Sequence, residues 1–113
     1  MSLPEPLSHD VTGAASIFAA LGDSTRLALV DRLSTEGPLS ITRLTSGSEM
    51  SRQAITKHLH VLAGAHLVRD RRAGREHLWE LDPNQLQAAR RSLERISRQW
   101  DLALGRLKSF VEE

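Results

Sequence analysis

The chain has 113 residues, 40% of them hydrophobic and 26% charged, which predicts one globular domain rather than a disordered chain. It contains no cysteine, which excludes disulfides, thiolate catalysis and cysteine-based metal sites. No apolar run approaches the roughly 20 residues that span a bilayer, and the first residues lack the basic and apolar regions of a signal peptide. We therefore expect a cytoplasmic protein without membrane contact.

The positive charge of the chain is concentrated in one stretch. The net charge is only +1, but residues 51–75 carry six basic residues and one acid, a local charge of +5. Residues 1–50 sum to −3 and residues 76–113 to −1. A local basic patch on a balanced background is typical of a polyanion-binding surface. A solvated charged face is the commoner cause of such a pattern.

The chain begins with a segment that shows no periodicity. Residues 1–11 predict a flexible N-terminal arm, and residues 12–113 predict a single domain. Thr12 can cap a short first helix, and Gly22 is a plausible end for it.

A second helix is predicted after this glycine, with Asp23 or Ser24 as its N-cap. Gly37 and the proline after it end the helix. Its apolar residues recur at helical spacing and are Leu27, Leu29, Val30 and Leu33.

Two capped helices with a tight turn between them come next. Ser40 can cap a short third helix, a glycine-containing turn follows, and Ser51 can cap a longer helix that runs to about Ala63. The buried stripe of this longer helix is expected to be Ile55, Leu59 and Leu62. The order is that of a helix-turn-helix unit.

Residues 67–81 predict two strands around an Ala73-Gly74 turn. Alternation is clearest in the second strand. We expect His77, Trp79 and Leu81 on one face, with Leu78 and Glu80 on the other.

Asp82 and Pro83 start a long final helix. Its apolar residues follow a heptad spacing, namely Leu86, Ala89, Leu93, Ile96, Trp100, Ala103, Leu107 and Phe110. This seam can pack on the domain's own core or pair with a second copy. A helix of roughly 28 residues spans about 42 Å, more than so small a core needs, which favours a homodimer. The expected interface is Ile17, Phe18, Leu21, Leu93, Ile96, Trp100, Ala103 and Leu107.

Together these elements predict a mainly α fold with a small β-hairpin: a winged helix-turn-helix of five helices plus wing, dimerising through its terminal helices. One α-helix fits the major groove of DNA, where residues near its N-terminus reach base edges. Burial of the apolar stripe turns the polar residues of the fourth helix outward. The predicted contacts to double-stranded DNA are Ser51, Arg52, Gln53, Thr56, Lys57 and His60 on this helix, and Arg71, Arg72 and Arg75 on the wing.

The same segments resemble the ArsR-type winged-helix transcriptional regulators of bacteria. The resemblance covers residues 14–111 and includes an Asp-x-x-Arg helix start at Asp23 and Arg26. The matching positions of the recognition helix and wing are Ser51, Thr56, His58, Leu59, Leu62, Ala65, Leu67 and Val68. It implies a homodimeric repressor on a short palindromic operator.

The metal motifs of that family have no counterpart in this sequence. The third helix lacks cysteine and the final helix lacks histidine, so no metal or cofactor is predicted and the effector is unknown. His58 and His60 are two residues apart and point to different sides of one helix, and His66 and His77 have no supporting carboxylates.

Two other functional classes are alternatives to DNA binding. No Gly-x-Ser-x-Gly elbow, phosphate loop or metal motif is present, so an enzyme is not predicted. The alternative hypothesis is a protein-interaction module on a winged-helix scaffold that does not bind DNA.

Overall fold

The computed structural model describes residues 14–112 of the chain, and these form five helices and three strands. The elements are α1 (residues 14–21), α2 (Ser24–Glu36), β1 (Leu39–Ser40), α3 (Ile41–Thr45), α4 (Arg52–Gly64), β2 (Val68–Ala73), β3 (Glu76–Leu81) and α5 (Pro83–Glu112). This architecture confirms the predicted winged helix-turn-helix. The predicted arm and the Thr12 cap lie outside the described residues, and none of the described helices is long and apolar enough to cross a membrane.

Side-chain caps begin three of the helices. Asp23, Ser40 and Ser51 each accept a hydrogen bond from the backbone N–H three residues later, at 3.0, 3.2 and 3.1 Å. Each cap satisfies one of the N–H groups that a helix start leaves without a partner. Gly37 ends α2 with a φ of 83°, and its N–H donates to the Leu33 carbonyl. The predicted helix boundaries are therefore confirmed.

The core lies where α1, α2 and α4 meet the sheet. Leu59, Leu62 and Leu67 are fully buried, and the predicted stripe of Ile55, Leu59 and Leu62 faces inward as expected. The prediction for α2 needs one correction. Leu29 and Leu33 are its buried residues, whereas Leu27 is 52% exposed, because the core meets α2 on the side that these two residues share.

The sheet contains a strand that the sequence analysis missed. Its order is β1-β3-β2, with both pairs antiparallel. In β1, Leu39 lies opposite Trp79. The hairpin turn also differs from the prediction. Ala73 pairs with Glu76, so the loop residues are Gly74 and Arg75, and Gly74 adopts a φ of 64°. A positive φ at the first of two loop residues is typical of a type II′ hairpin turn.

The C-terminus of α4 turns the chain into the wing through a left-handed residue. The N–H of Leu67 donates to the Leu62 carbonyl and the N–H of His66 to the Ala63 carbonyl, both at 3.0 Å. These two bonds form a Schellman motif, whose left-handed position is usually glycine. Here the position is His66, with a φ of 62°.

Replacing His66 tests this conformation. His66→Val is expected to lower the free energy of unfolding by about 1 kcal/mol, because a β-branched residue tolerates a left-handed φ poorly. His66→Gly is the matched control and is expected to retain wild-type stability or exceed it. Urea denaturation at equal protein concentrations measures both variants. Equal effects of valine and glycine would contradict the explanation, since the exposed side chain contributes little packing.

Candidate nucleic-acid interface

The helix-turn-helix unit fixes one side of α4 against the protein and leaves the other free. The turn between α3 and α4 contains Gly47 with a φ of 78°. Leu44 of α3 and Ile55 of α4 are both buried in the common core. The orientation of α4 about its own axis is therefore set by packing rather than by the polar residues that it exposes.

The side of α4 opposite the buried stripe carries the residues predicted to touch DNA. Those exposed are Ser51, Arg52, Gln53, Lys57 and His60. Thr56 is half-buried, and its hydroxyl donates to the Arg52 carbonyl at 2.8 Å. This bond uses the hydroxyl proton, so the side chain retains its methyl group and the acceptor lone pairs of Oγ1 for a contact with DNA.

The start of α4 has the properties of a phosphate site. Ser51 uses its side-chain oxygen to accept from the Ala54 N–H, which leaves its hydroxyl proton able to donate. No acidic residue lies in the first turn of the helix. The positive end of the helix dipole is therefore not offset by a neighbouring carboxylate of that turn, and it favours an anion.

The arginines of the wing differ in their environment. The Nε atoms of Arg69 and Arg71 lie 3.2 and 3.3 Å from the same Glu80 oxygen, Oε1. Arg72 and Arg75 are exposed and make no ion pair within the described part of the chain. The assignment of Arg71 as a DNA contact stays a prediction, and its guanidinium has a competing partner inside the protein.

Trp79 connects the wing to the recognition helix. The ring of His60 meets Trp79 edge-on with centroids 5.8 Å apart, and the ring of His77 stacks on it at 6.1 Å. Asp70 in turn lies 2.7 Å from the His77 ring nitrogen Nε2. The alternation in the sequence predicts that Trp79 and His77 share a face of the strand. It does not predict this link, which depends on contacts between distant elements.

His58 lies on the inner side of α4, as expected for a residue with a packing role. Its Nδ1 atom is 3.3 Å from Arg26 Nη1 and 3.8 Å from Asp23 Oδ2. Arg26 also donates to the Ala20 carbonyl of α1. These contacts tie α4 to the junction of α1 and α2. Residues 14–112 contain no group of three potential His, Asp or Glu metal ligands.

The predicted dimer residues separate into exposed and buried sets. Leu93, Trp100 and Leu107 of α5 are 54%, 67% and 61% exposed. Phe18, Leu21, Ile96 and Ala103 are half-buried. Ile17 is 2% exposed and packs in the core of its own protomer, so its place in the interface stays a prediction that this burial does not support.

The exposed apolar surface of α5 is wider than the heptad seam. We call it the α5 apolar face, and its members are Leu93, Ile96, Trp100, Ala103, Leu104, Leu107, Phe110 and Val111. Leu104 and Val111 were missed because they fall outside a strict heptad, although a 3.6-residue period brings them to the same side of the helix. Exposed apolar surface of this extent is typical of an interface.

Comparison with known proteins agrees with this geometry. The family model for a helix-turn-helix domain matches residues 21–71. The HTH-type transcriptional regulator Rv2034 of Mycobacterium tuberculosis is 45% identical over 87 residues, which cover 77% of this chain and 78% of the relative.

Solved structures show the same fold. An ArsR-like transcriptional regulator from Rhodococcus sp. RHA1 superimposes with a TM-score of 0.73 at 36% identity, covering 88% of this chain and 93% of that one. The homodimeric winged helix-turn-helix DNA-binding domain of Mb0332 from Mycobacterium bovis, described as a possible ArsR-family regulator, has a TM-score of 0.66 at 19% identity. It covers 88% of this chain and 90% of that one, and its likeness concerns the fold alone.

The contact between Asp70 and His77 gives a testable titration. The hydrogen bond from His77 lowers the pKa of the Asp70 carboxyl below its ordinary value, and the nearby charge of His77 acts in the same direction. His77→Ala is expected to raise the pKa of Asp70 towards its ordinary value. A lowered folded pKa stabilises the protein above the unfolded pKa, and this stabilisation is lost as the pH falls through the folded value.

An NMR titration of the side-chain carboxyl carbons measures this effect. Asp23 is the internal control, because the backbone N–H of Arg26 is the main cause of its lowered pKa, and the substitution leaves that bond in place. An Asp70 titration that is the same in both proteins would contradict the assignment.

Proposed function

Because the chain belongs to the ArsR-type family of winged-helix transcriptional regulators, we propose that it acts as a homodimeric repressor on a short palindromic operator. It is a DNA-binding regulator by family and fold. The observation that carries the proposal is the exposed polar side of α4. It lies next to the wing, where Arg72 and Arg75 make no ion pair within residues 14–112.

In the proposed complex α4 enters the major groove with its N-terminal half against the bases. Gln53 can donate to and accept from adenine in two places, and Arg52 can bind guanine or a phosphate. Lys57 supplies a further cation for guanine or the DNA backbone. Ser51 and the first backbone N–H groups of α4 hold a phosphate. These contacts combine sequence reading with positioning on the duplex.

The wing supports this arrangement from the side. Arg72 and Arg75 lie at the end of the hairpin that includes the Gly74 turn, and they can reach the DNA backbone or the minor groove. The contact of Trp79 with His60 keeps the base of the wing beside α4. The proposed DNA-binding elements, α4 and the wing, therefore have a fixed relative position in the free protein.

Dimerisation through the α5 apolar face would explain why the proposed operator is palindromic. The helix has 30 residues and a length of about 45 Å, so much of it extends beyond the core that α1, α2 and α4 form. A two-fold axis through paired α5 helices would direct two copies of α4 to successive major grooves, about 34 Å apart.

The proposal is tested first by fluorescence anisotropy on the DNA upstream of the protein's own gene. A scrambled duplex of the same length is the control, and both are measured across a salt series. We expect selective binding to the upstream DNA, with log K falling by about 0.9 per decade of salt for each phosphate neutralised. Absence of binding to either duplex at low salt would contradict DNA binding and favour an interaction module.

Two substitutions on α4 separate base reading from phosphate binding. Gln53→Ala is expected to weaken binding to the operator by about 1–3 kcal/mol and to leave scrambled DNA unaffected. Lys57→Ala is expected to weaken both, and to reduce the salt slope by about 0.9 if Lys57 binds a phosphate. Equal losses on both duplexes for Gln53→Ala would contradict its role in reading bases.

One substitution on α5 tests the dimer. Trp100→Glu places a charge in the α5 apolar face and is expected to convert the dimer to a monomer in sedimentation velocity. Leu102→Glu is the matched control, because Leu102 is 66% exposed but lies about 200° around the helix from Trp100. Dissociation by both variants, or by neither, would contradict the proposed interface.

A further inference from the structure

The four arginines of the wing do not form one uniform basic surface. Arg69 and Arg71 both contact the Glu80 carboxylate. Arg72 and Arg75 have no ion-pair partner in the described residues. The wing therefore contains one pair of arginines that shares a carboxylate, and one pair towards its tip that has no such partner among the described residues.

The strand register explains this separation. Arg69 lies directly opposite Glu80, whereas Leu78 lies opposite Arg71. Since side chains alternate along a strand, Arg69 and Arg71 share the face that carries Glu80. Arg71 reaches diagonally along this face to the same oxygen, Oε1, and is thereby drawn from the turn towards the base of the hairpin.

The exposed fractions of the Glu80, Arg69 and Arg71 side chains indicate that Glu80 positions the two arginines. The Glu80 side chain is 16% exposed, whereas those of Arg69 and Arg71 are 55% and 50% exposed. A carboxylate covered by two guanidinium groups is less screened by salt than a fully solvated one. It offsets one of the two positive charges and binds both through their Nε atoms.

We infer that Glu80 determines specificity by positioning Arg69 and Arg71 at the base of the wing, away from the DNA backbone. Phosphate contacts strengthen binding to every sequence alike, because the backbone carries no direct sequence information. Restricting the wing to Arg72 and Arg75 limits this sequence-independent binding and leaves discrimination to α4. The inference rests on the proposed DNA-binding function.

Glu80→Gln tests the inference, with Glu76→Gln as the matched control. Glu76 lies in the same strand, is exposed, and has no ion pair in the described residues, so its replacement changes the net charge equally but releases no arginine. We expect Glu80→Gln to bind scrambled DNA more tightly than either the wild type or the control. Its salt slope is expected to steepen by about 0.9 for each arginine released.

Specificity is expected to fall at the same time. The ratio of operator affinity to scrambled-DNA affinity decreases in Glu80→Gln and is retained in Glu76→Gln. In the double variant that combines Glu80→Gln with Arg71→Ala, we expect the salt slope to be about 0.9 shallower than in Glu80→Gln alone. Arg71→Ala in the otherwise wild-type protein is expected to change the salt slope markedly less, because Glu80 already binds the Arg71 guanidinium.

A more conservative variant separates position from charge. Glu80→Asp keeps the charge but withdraws the carboxylate by one methylene, and we expect a smaller change of slope in the same direction. This variant also provides the test if Glu80→Gln fails to fold, which urea denaturation reveals.

The inference is overturned if Glu80→Gln binds both duplexes like Glu76→Gln, or more weakly than the wild type. The first result would mean that Glu80 affects DNA binding only through its charge. The second would mean that Arg69 and Arg71 already contact phosphate while Glu80 orients them. This failure is distinct from failure of the proposed function, in which the wild type itself shows no preference for operator over scrambled DNA.

Discussion

Burial of Ile55, Leu59 and Leu62 is the constraint on which the rest of the structure depends. These three side chains are at most 3% exposed, and α4 cannot rotate about its axis without bringing them into water. Full burial of one such side chain is worth about 1.5–3 kcal/mol, so the orientation is strongly determined. The opposite side of the helix, from Arg52 to His60, is thereby presented to solvent. The exposed polar surface of α4 is therefore a consequence of core packing.

The position of the wing is fixed by packing against the same core. Trp79 is 7% exposed, lies opposite Leu39 of β1, and meets the ring of His60 on α4. A short strand, a buried tryptophan and the recognition helix therefore form one continuous contact. This contact supports the exposed arginines of the wing, because the ion pairs of Arg69 and Arg71 with Glu80 lie within the hairpin and do not connect it to α4.

Local signals allowed much of this fold to be predicted from the sequence. The caps Asp23, Ser40 and Ser51, and the break at Gly37, act within a few residues of themselves, and the structure confirms each of them. The errors concern long-range pairing. Leu39 and Ser40 have too few residues to show a periodic pattern, and their partners lie some forty positions away. The contact of Arg71 with Glu80 was not predicted either, since it depends on a hairpin register that the predicted Ala73-Gly74 turn places one residue too early.

The protomer has two exposed surfaces, the polar side of α4 and the α5 apolar face. The proposed symmetric dimer on DNA would explain both. Neither surface is needed to complete the core. Hydroxyl-radical footprinting of the protein on its operator tests this account most directly. The account predicts two protected segments related by a two-fold axis, with centres about one helical turn, or 10 base pairs, apart. A single protected segment, or two segments in direct repeat, would contradict it.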